Sequence, residues 1–135
     1  MTAWAPLVGC AGAAAAGTGL FTCAVRLPSC TLLAPSVCRG TTARRSIALT
    51  FDDGPSESTP ELLAILDRFA VRATFFQCGA SVRRLPQIAR EVAAAGHEIG
   101  NHSDMHPRLD FKPREFIRRE LAAAQETIER VTGVR

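Results

Sequence analysis

The stretch that decides the fold is Ser46-Ile-Ala-Leu-Thr-Phe-Asp-Asp-Gly-Pro55. Its apolar run predicts a short buried β-strand over residues 46–51, and the Gly-Pro pair that follows breaks the strand. Two adjacent carboxylates, Asp52 and Asp53, come directly after this predicted strand. An isolated Asp-Asp-Gly-Pro sequence is usually a solvated turn, so a functional interpretation depends on the rest of the chain.

Strand and helix patterns alternate three times from residue 46 onward. Besides the first strand, strands are predicted over 71–76 and 97–101, and helices over 59–69, 86–95 and 113–132. This alternation predicts an α/β fold in which helices cover parallel strands. In such folds the chemistry lies at the carboxyl ends of the strands.

A second polar segment, His102-Ser-Asp-Met-His106, follows the third predicted strand, so it is expected at the same edge as the two aspartates. If these residues form a helical turn, both imidazoles face one side and can bind one metal. A carboxylate from the first strand would supply a third ligand, and the second Asp could act as a general base. Zinc is the default metal, although iron, cobalt or manganese would accept the same ligands.

Other polar residues are interpreted more plainly. A lone His-x-x-x-His is more often a pair of surface histidines, and His97 is expected to be structural because it opens its strand at the opposite edge. Cys78 is expected to pack as a small apolar residue. Ser103 and Asp104 either position the histidines or are ordinary loop residues. The arginine pairs Arg83-Arg84 and Arg118-Arg119 are predicted to be solvated.

The first 45 residues read as an apolar leader and an Arg-containing linker, separate from a globular part at 46–135. The net charge is +3, yet the leader holds four arginines and no acid while the globular part is −1. Bases interleaved with acids argue against nucleic-acid binding. The uncharged segment over residues 3–25 is either a weak membrane-associated helix or a poorly ordered tail. A cell-envelope or membrane-associated location is therefore considered.

Taken together, these motifs resemble the polysaccharide deacetylases of the NodB-homology group, carbohydrate esterase family four. The resemblance runs from about Ile47 to Arg135. It is carried by the Asp-containing motif already quoted and by three further segments: Ala73-Thr-Phe-Phe76, Gly96-His-Glu-Ile-Gly-Asn-His102 with His106 four residues on, and Thr132-Gly-Val-Arg135.

The resemblance implies a fold, a set of roles and a reaction. The fold would be the first three β/α units of a distorted barrel of about seven β/α units. Asp52 would be the catalytic base, and Asp53, His102 and His106 would hold one divalent metal, with zinc as the first choice. The reaction would hydrolyse N-acetyl or O-acetyl groups of a glycan, and chitin oligomers, peptidoglycan and O-acetylated xylan all stay open as substrates.

Three hypotheses follow. The first is a metal-dependent deacetylase of which this chain is the N-terminal part, because the family's downstream Arg-Pro-Pro-Tyr-type segment and late histidine do not occur before Arg135. The second is a truncated, inactive, membrane-associated remnant that binds metal only. The third is an iron(II) oxygenase, which uses the same ligand types, but its usual β-sandwich-like barrel disagrees with strand–helix alternation.

Overall fold

The computed structural model describes residues 18–24, 26–27, 30–31, 40, 43 and 45–135. Three strands and four helices follow one another in residues 46–135. The strands are β1 (Thr50–Gly54), β2 (Thr74–Gln77) and β3 (Glu98–Asn101). The helices are α1 (Thr59–Arg68), α2 (Gly79–Arg84), α3 (Pro86–Ala94) and α4 (Arg114–Thr132).

The strands form one parallel sheet in the order β1-β2-β3. Phe75 in the central strand pairs with Phe51 on one side and with Ile99 on the other. The predicted α/β fold with parallel strands is therefore confirmed. Because parallel strands share one direction, the ends of β1, β2 and β3 meet at a single edge of the sheet.

Strand β1 carries an irregularity where the two aspartates lie. Phe51 pairs with Phe75 and Gly54 pairs with Gln77, so β1 contains one more residue than β2 between these two pairs. Asp53 has φ 67°, in the left-handed region that few non-glycine residues adopt. An extra residue of this kind is a β-bulge, which bends the strand and redirects a side chain.

Two buried apolar clusters hold the helices against the sheet. Leu66 of α1 and Val92 of α3 pack with Phe75 on β2. Val82 of α2 packs with Ala89 and Ile128, which joins α2, α3 and α4. Ile99 of β3 contacts both clusters, so the sheet and the helices share a continuous apolar interior.

The first strand differs from its predicted bounds. β1 begins at Thr50 instead of Ser46, and Ile47 is 89% exposed. The reason is pairing, because the neighbouring strand begins only at Thr74 and offers no earlier ladder partner. The strand also ends later than predicted, at Gly54, which pairs with Gln77, so Asp52 and Asp53 lie inside β1 and do not follow it. The second strand likewise begins at Thr74, three residues later than predicted.

Helix α2 was not predicted. It spans only six residues directly after β2, too few for a periodic apolar pattern to be visible. The long helix α4 agrees with its prediction within one residue, and Gly133 ends it with φ 74°. On its exposed face Glu126 pairs with Arg130, four residues further on, at 3.6 Å. Glu115 lies 3.8 Å from Arg118, three residues further on.

The chain divides into two units, Met1–Arg45 and Ser46–Arg135. In the first unit residues 18–24 are helical. Among the residues that the structure describes, no helix is long and apolar enough to cross a membrane. Most of the predicted membrane-associated segment, residues 3–25, lies outside the described residues.

Candidate metal centre

Three of the side chains singled out from the sequence converge at the carboxyl edge of the sheet. Oδ1 of Asp53 lies 3.2 Å from Nε2 of His102 and 3.3 Å from Nε2 of His106. The ligand atoms of these three residues all lie within 4.8 Å of one another. In the described part of the chain, no other group of His, Cys, Asp and Glu side chains converges in this way.

This spacing fits a divalent metal. Zinc–nitrogen and zinc–oxygen bonds of about 2.0–2.2 Å, at tetrahedral angles, place ligand atoms about 3.3 Å apart. The two distances from Asp53 match that value. The imidazole rings are stacked, with centroids 4.8 Å apart. Because the three residues are partly or largely exposed, a metal held by them would keep further coordination positions open to solvent, as in catalytic sites.

The histidine segment is a loop and not the helical turn that the His-x-x-x-His spacing allowed. Ser103 has φ 62° and His106 has φ 53°, and a right-handed helical turn contains neither value. The chain bends at residues 104 and 105 after it leaves β3, and the two imidazole rings stack without helical spacing. Left-handed conformations are costly and persist where surrounding contacts determine them, often at functional sites. We call residues 102–106 the histidine loop.

Strand β2 holds the start of the histidine loop. The backbone N–H of His102 donates to the carbonyl of Gln77 at 3.0 Å, which extends the β2–β3 ladder by one bond. The ring of His102 lies 6.2 Å from that of Phe76. Cys78 is buried as predicted, and its thiol donates to the carbonyl of His102 at 3.6 Å. Burial, followed by the nearby carboxylates, raises the pKa of this thiol.

Helix α2 holds the middle of the loop. The N–H groups of Gly79 and Ala80 at its start donate to the carbonyls of Ser103 and Asp104, at 3.1 and 2.9 Å. The first N–H groups of a helix have no partner within the helix, so the carbonyl groups of the loop supply the hydrogen-bond acceptors for the start of α2. The short helix that sequence periodicity missed is thus a principal support of the candidate centre.

Helix α4 holds the loop from its other side. The N–H of Met105 donates to Oε2 of Glu120 at 3.0 Å. Nδ2 of Asn101, the last residue of β3, donates to the carbonyl of Leu121 at 2.8 Å and to Oε1 of Gln125 at 3.2 Å. These contacts fix the chain immediately before and within the loop to one helix.

Arg83 is 42% exposed, which agrees with its predicted solvation, but its guanidinium also has a charged partner. Its Nη1 and Nη2 donate to Oδ1 and Oδ2 of Asp104 at 2.6 and 2.9 Å. Asp104 is therefore not a plain loop residue but an anchored part of the histidine loop. The sequence carries no local signal for this pair, because the two residues are 21 positions apart and belong to different parts of the fold.

Asp52 and His97 are not part of the Asp53-His102-His106 cluster. Asp52 precedes Asp53 within β1, and its side chain is exposed. His97 is buried just before β3, at the opposite edge from the candidate centre, where its Nδ1 accepts the N–H of Ala73 at 3.3 Å. Burial, and secondarily the charge of Arg72, lowers the pKa of His97. The structural role predicted for His97 agrees with these contacts.

The fold and the candidate centre define an α/β protein with a possible Asp-His-His metal site at the carboxyl ends of parallel strands. A family model described as polysaccharide deacetylase matches residues 39–135. The chain belongs to the polysaccharide deacetylase family, as the sequence motifs predicted.

Individual relatives agree with this assignment. A chitooligosaccharide deacetylase of Azorhizobium caulinodans is 40% identical over 96 residues, which cover 70% of this chain and 46% of the relative. The crystal structure of the Bc1960 peptidoglycan N-acetylglucosamine deacetylase is 38% identical, with a TM-score of 0.67, and the match covers 70% of this chain and 44% of that one.

One solved relative has a different description. BA3943 of Bacillus anthracis, described as a CE4 family pseudoenzyme, is 33% identical, with a TM-score of 0.67, over 72% of this chain and 36% of that chain. This chain therefore spans less than half the length of each of these relatives. Family membership and activity are separate questions, since one similar structure is described as that of a pseudoenzyme.

Proposed function

We propose that this protein takes part in metal-dependent removal of acetyl groups from a polysaccharide or oligosaccharide. One observation carries the proposal, namely that Oδ1 of Asp53 lies at metal-ligand spacing from both histidine Nε2 atoms. In the proposal Asp53, His102 and His106 bind one divalent metal, with zinc as the first candidate. A bound divalent metal lowers the pKa of water and polarises a carbonyl.

The residues of this chain have distinct proposed roles. Asp52, adjacent to the ligand Asp53 in the β1 bulge, acts as the general base that accepts the proton of the attacking water. The two imidazoles hold their Nε2 atoms toward Asp53, so the ligand geometry exists before substrate arrives. The exposed side of the cluster leaves room for an acetyl group, and hydrolysis would release acetate.

The proposed substrate is an N-acetylated glycan. Support comes from the names of relatives, which include a chitooligosaccharide deacetylase and a peptidoglycan N-acetylglucosamine deacetylase. The second name specifies N-acetylglucosamine, which is an N-acetylated amino sugar. O-acetylated glycan is the alternative substrate of the same hydrolysis.

Calorimetric titration of Zn²⁺ into metal-free protein tests the metal site. We expect one equivalent to bind, and Asp53→Asn to weaken binding at least about tenfold because one charged ligand is lost. Asp67→Asn, in α1, is the matched control and should bind as the parent does. Equal affinities for the parent and Asp53→Asn would contradict the assignment of Asp53 as a ligand.

Acetate release from chitooligosaccharides tests the reaction. Asp52→Asn is expected to lower the rate about 10²- to 10⁴-fold, which is typical for loss of a general base, while Zn²⁺ affinity stays at the parent value. Acetate release by Asp52→Asn at the parent rate would exclude Asp52 as the base. Metal binding by the parent without acetate release would favour the metal-binding, inactive alternative for this chain.

A further inference from the structure

We propose that Arg83 is a positioning residue, whose two-point ion pair with Asp104 holds the histidine loop so that His102 and His106 stay at metal-ligand spacing. The inference rests on the proposed function, since it assigns a purpose to the same three ligands. Arg83 touches none of them and acts through the loop.

The ion pair lies at the centre of the loop. Asp104 is two residues from each histidine, and both of its oxygens accept hydrogen bonds from the guanidinium, at 2.6 and 2.9 Å. The Asp104 side chain is only 14% exposed. Exposed single-point ion pairs contribute little, but a two-point pair on a mostly buried carboxylate fixes direction as well as distance.

The guanidinium is itself anchored at a second place. Nη1 of Arg83 also donates to Oγ1 of Thr127 at 3.2 Å, and Thr127 is buried on α4. One side chain of α2 therefore connects the histidine loop to α4. The hydrogen bonds with Asp104 raise the pKa of Arg83, so the guanidinium stays charged at every pH of interest.

The ion pair is more important for the second half of the histidine loop than for the first half. The beginning is held by main-chain bonds, because His102 continues the ladder to Gln77 and the carbonyl of Ser103 accepts the N–H of Gly79. Beyond Asp104, the N–H of Met105 reaches Glu120, and the chain then enters the left-handed conformation of His106. Loss of the ion pair is therefore expected to displace His106 more than His102.

Metal affinity is the first test. Arg83→Met should weaken Zn²⁺ binding about 10- to 100-fold, the range typical of residues that orient a ligand. Arg84→Met is the matched control, because this neighbouring arginine in the same helix pairs with Glu57 at an exposed site away from the loop. Arg83→Lys keeps the charge but not the planar fork, so its affinity should be intermediate. All titrations use a temperature at which circular dichroism shows every variant fully folded.

A double-mutant cycle separates positioning from general destabilisation. Asp104→Asn should weaken Zn²⁺ binding as Arg83→Met does, and the double variant should be no weaker than either single variant, because both remove one interaction. Unchanged Zn²⁺ affinity in folded Arg83→Met, or additive losses in the double variant, would overturn the inference.

Amide hydrogen exchange of metal-free protein provides a readout that does not depend on metal binding. Arg83→Met should speed exchange of the Met105 amide relative to Arg84→Met, while the amide of Phe75 in β2 keeps its protection in both variants. Equal protection of Met105 in both variants would overturn the inference. If the parent binds no Zn²⁺, the proposed function fails, and this exchange comparison still decides whether Arg83 holds the loop.

Discussion

Individual residues at the candidate centre adopt backbone conformations that most residues avoid. Asp53, Ser103 and His106 all have φ between 53° and 67°. Asp, Asn and His tolerate this region better than other non-glycine residues do, and a bulge or loop must hold them there. The ligand set therefore depends on local strain that the surrounding hydrogen bonds maintain.

A side chain at position 79, in place of Gly79, is expected to destabilise the folded protein for a steric reason. A Cβ at this position would overlap Oδ1 of Asp104 and would lie 3.1 Å from Cα of Ala124. Gly79→Ala should therefore displace the Asp104 carboxylate and lower the free energy of unfolding by about 1–3 kcal/mol, as overpacking does. Urea denaturation measures this change. Gly54→Ala, where an added Cβ meets nothing within 4 Å, should cost less, and equal losses would refute the steric explanation.

His97 is expected to make stability depend on pH. Burial lowers its pKa in the folded protein, so the unfolded chain binds a proton more readily. The stability linked to neutral His97 is present above the unfolded pKa, near 6.5, and is lost as the pH falls toward the folded pKa. Urea midpoints at pH 8 and pH 5.5 test this. In His97→Asn, which cannot titrate, the decrease should be smaller; an identical decrease would assign it to other groups.

At the level of elements, the candidate centre depends on two short ones, the strand β1 and the helix α2. β1 contains a bulge that places Asp53, and the six-residue α2 carries both the backbone donors and the arginine that hold the histidine loop. Short helices are marginal in isolation, so α2 depends on packing. Its Val82 is buried against Ile128 of α4. Packing against the long helix α4 therefore stabilises the short helix α2.

Substitution in α4 tests this dependence. Ile128 is buried in the cluster that joins α2, α3 and α4, so Ile128→Ala should lower the free energy of unfolding by about 2–5 kcal/mol. Leu121→Ala, at a position of the same helix that is 41% exposed, is the control and should cost clearly less. Chemical denaturation followed by circular dichroism measures both. Similar losses in the two variants would show that burial on this face does not determine the stability of α4.

For the whole molecule, the candidate centre connects parts of the chain that are far apart in sequence. Asp53 comes from the first strand and the two histidines come from the loop after the third, about fifty residues later. A metal that bridges them binds the folded protein and finds no equivalent site in the unfolded chain. Metal binding and folding of the 46–135 unit should therefore be linked.

This linkage predicts a metal-dependent melting temperature. Free Zn²⁺ at about 100 times its dissociation constant adds about 2.7 kcal/mol, and each kcal/mol raises the midpoint by about 4–8 °C in a domain of this size. Differential scanning calorimetry should show the rise, and excess chelator should reverse it. In Asp53→Asn the rise should be much smaller. A melting temperature of the parent that does not change with Zn²⁺ would argue against a metal shared by β1 and the histidine loop.

Residue pattern alone was enough for the parallel α/β arrangement, the family, and the shared edge of Asp53, His102 and His106, because strand–helix alternation and short motifs are visible along the chain. The bulge, the true start of β1, the non-helical histidine loop and helix α2 were decided by tertiary structure. Each depends on a partner distant in sequence, such as the ladder that begins at Thr74 or the carbonyls that α2 caps. The Arg83–Asp104 pair belongs to the same group, since packing of α2 against the loop, and no local preference, brings the two charges together.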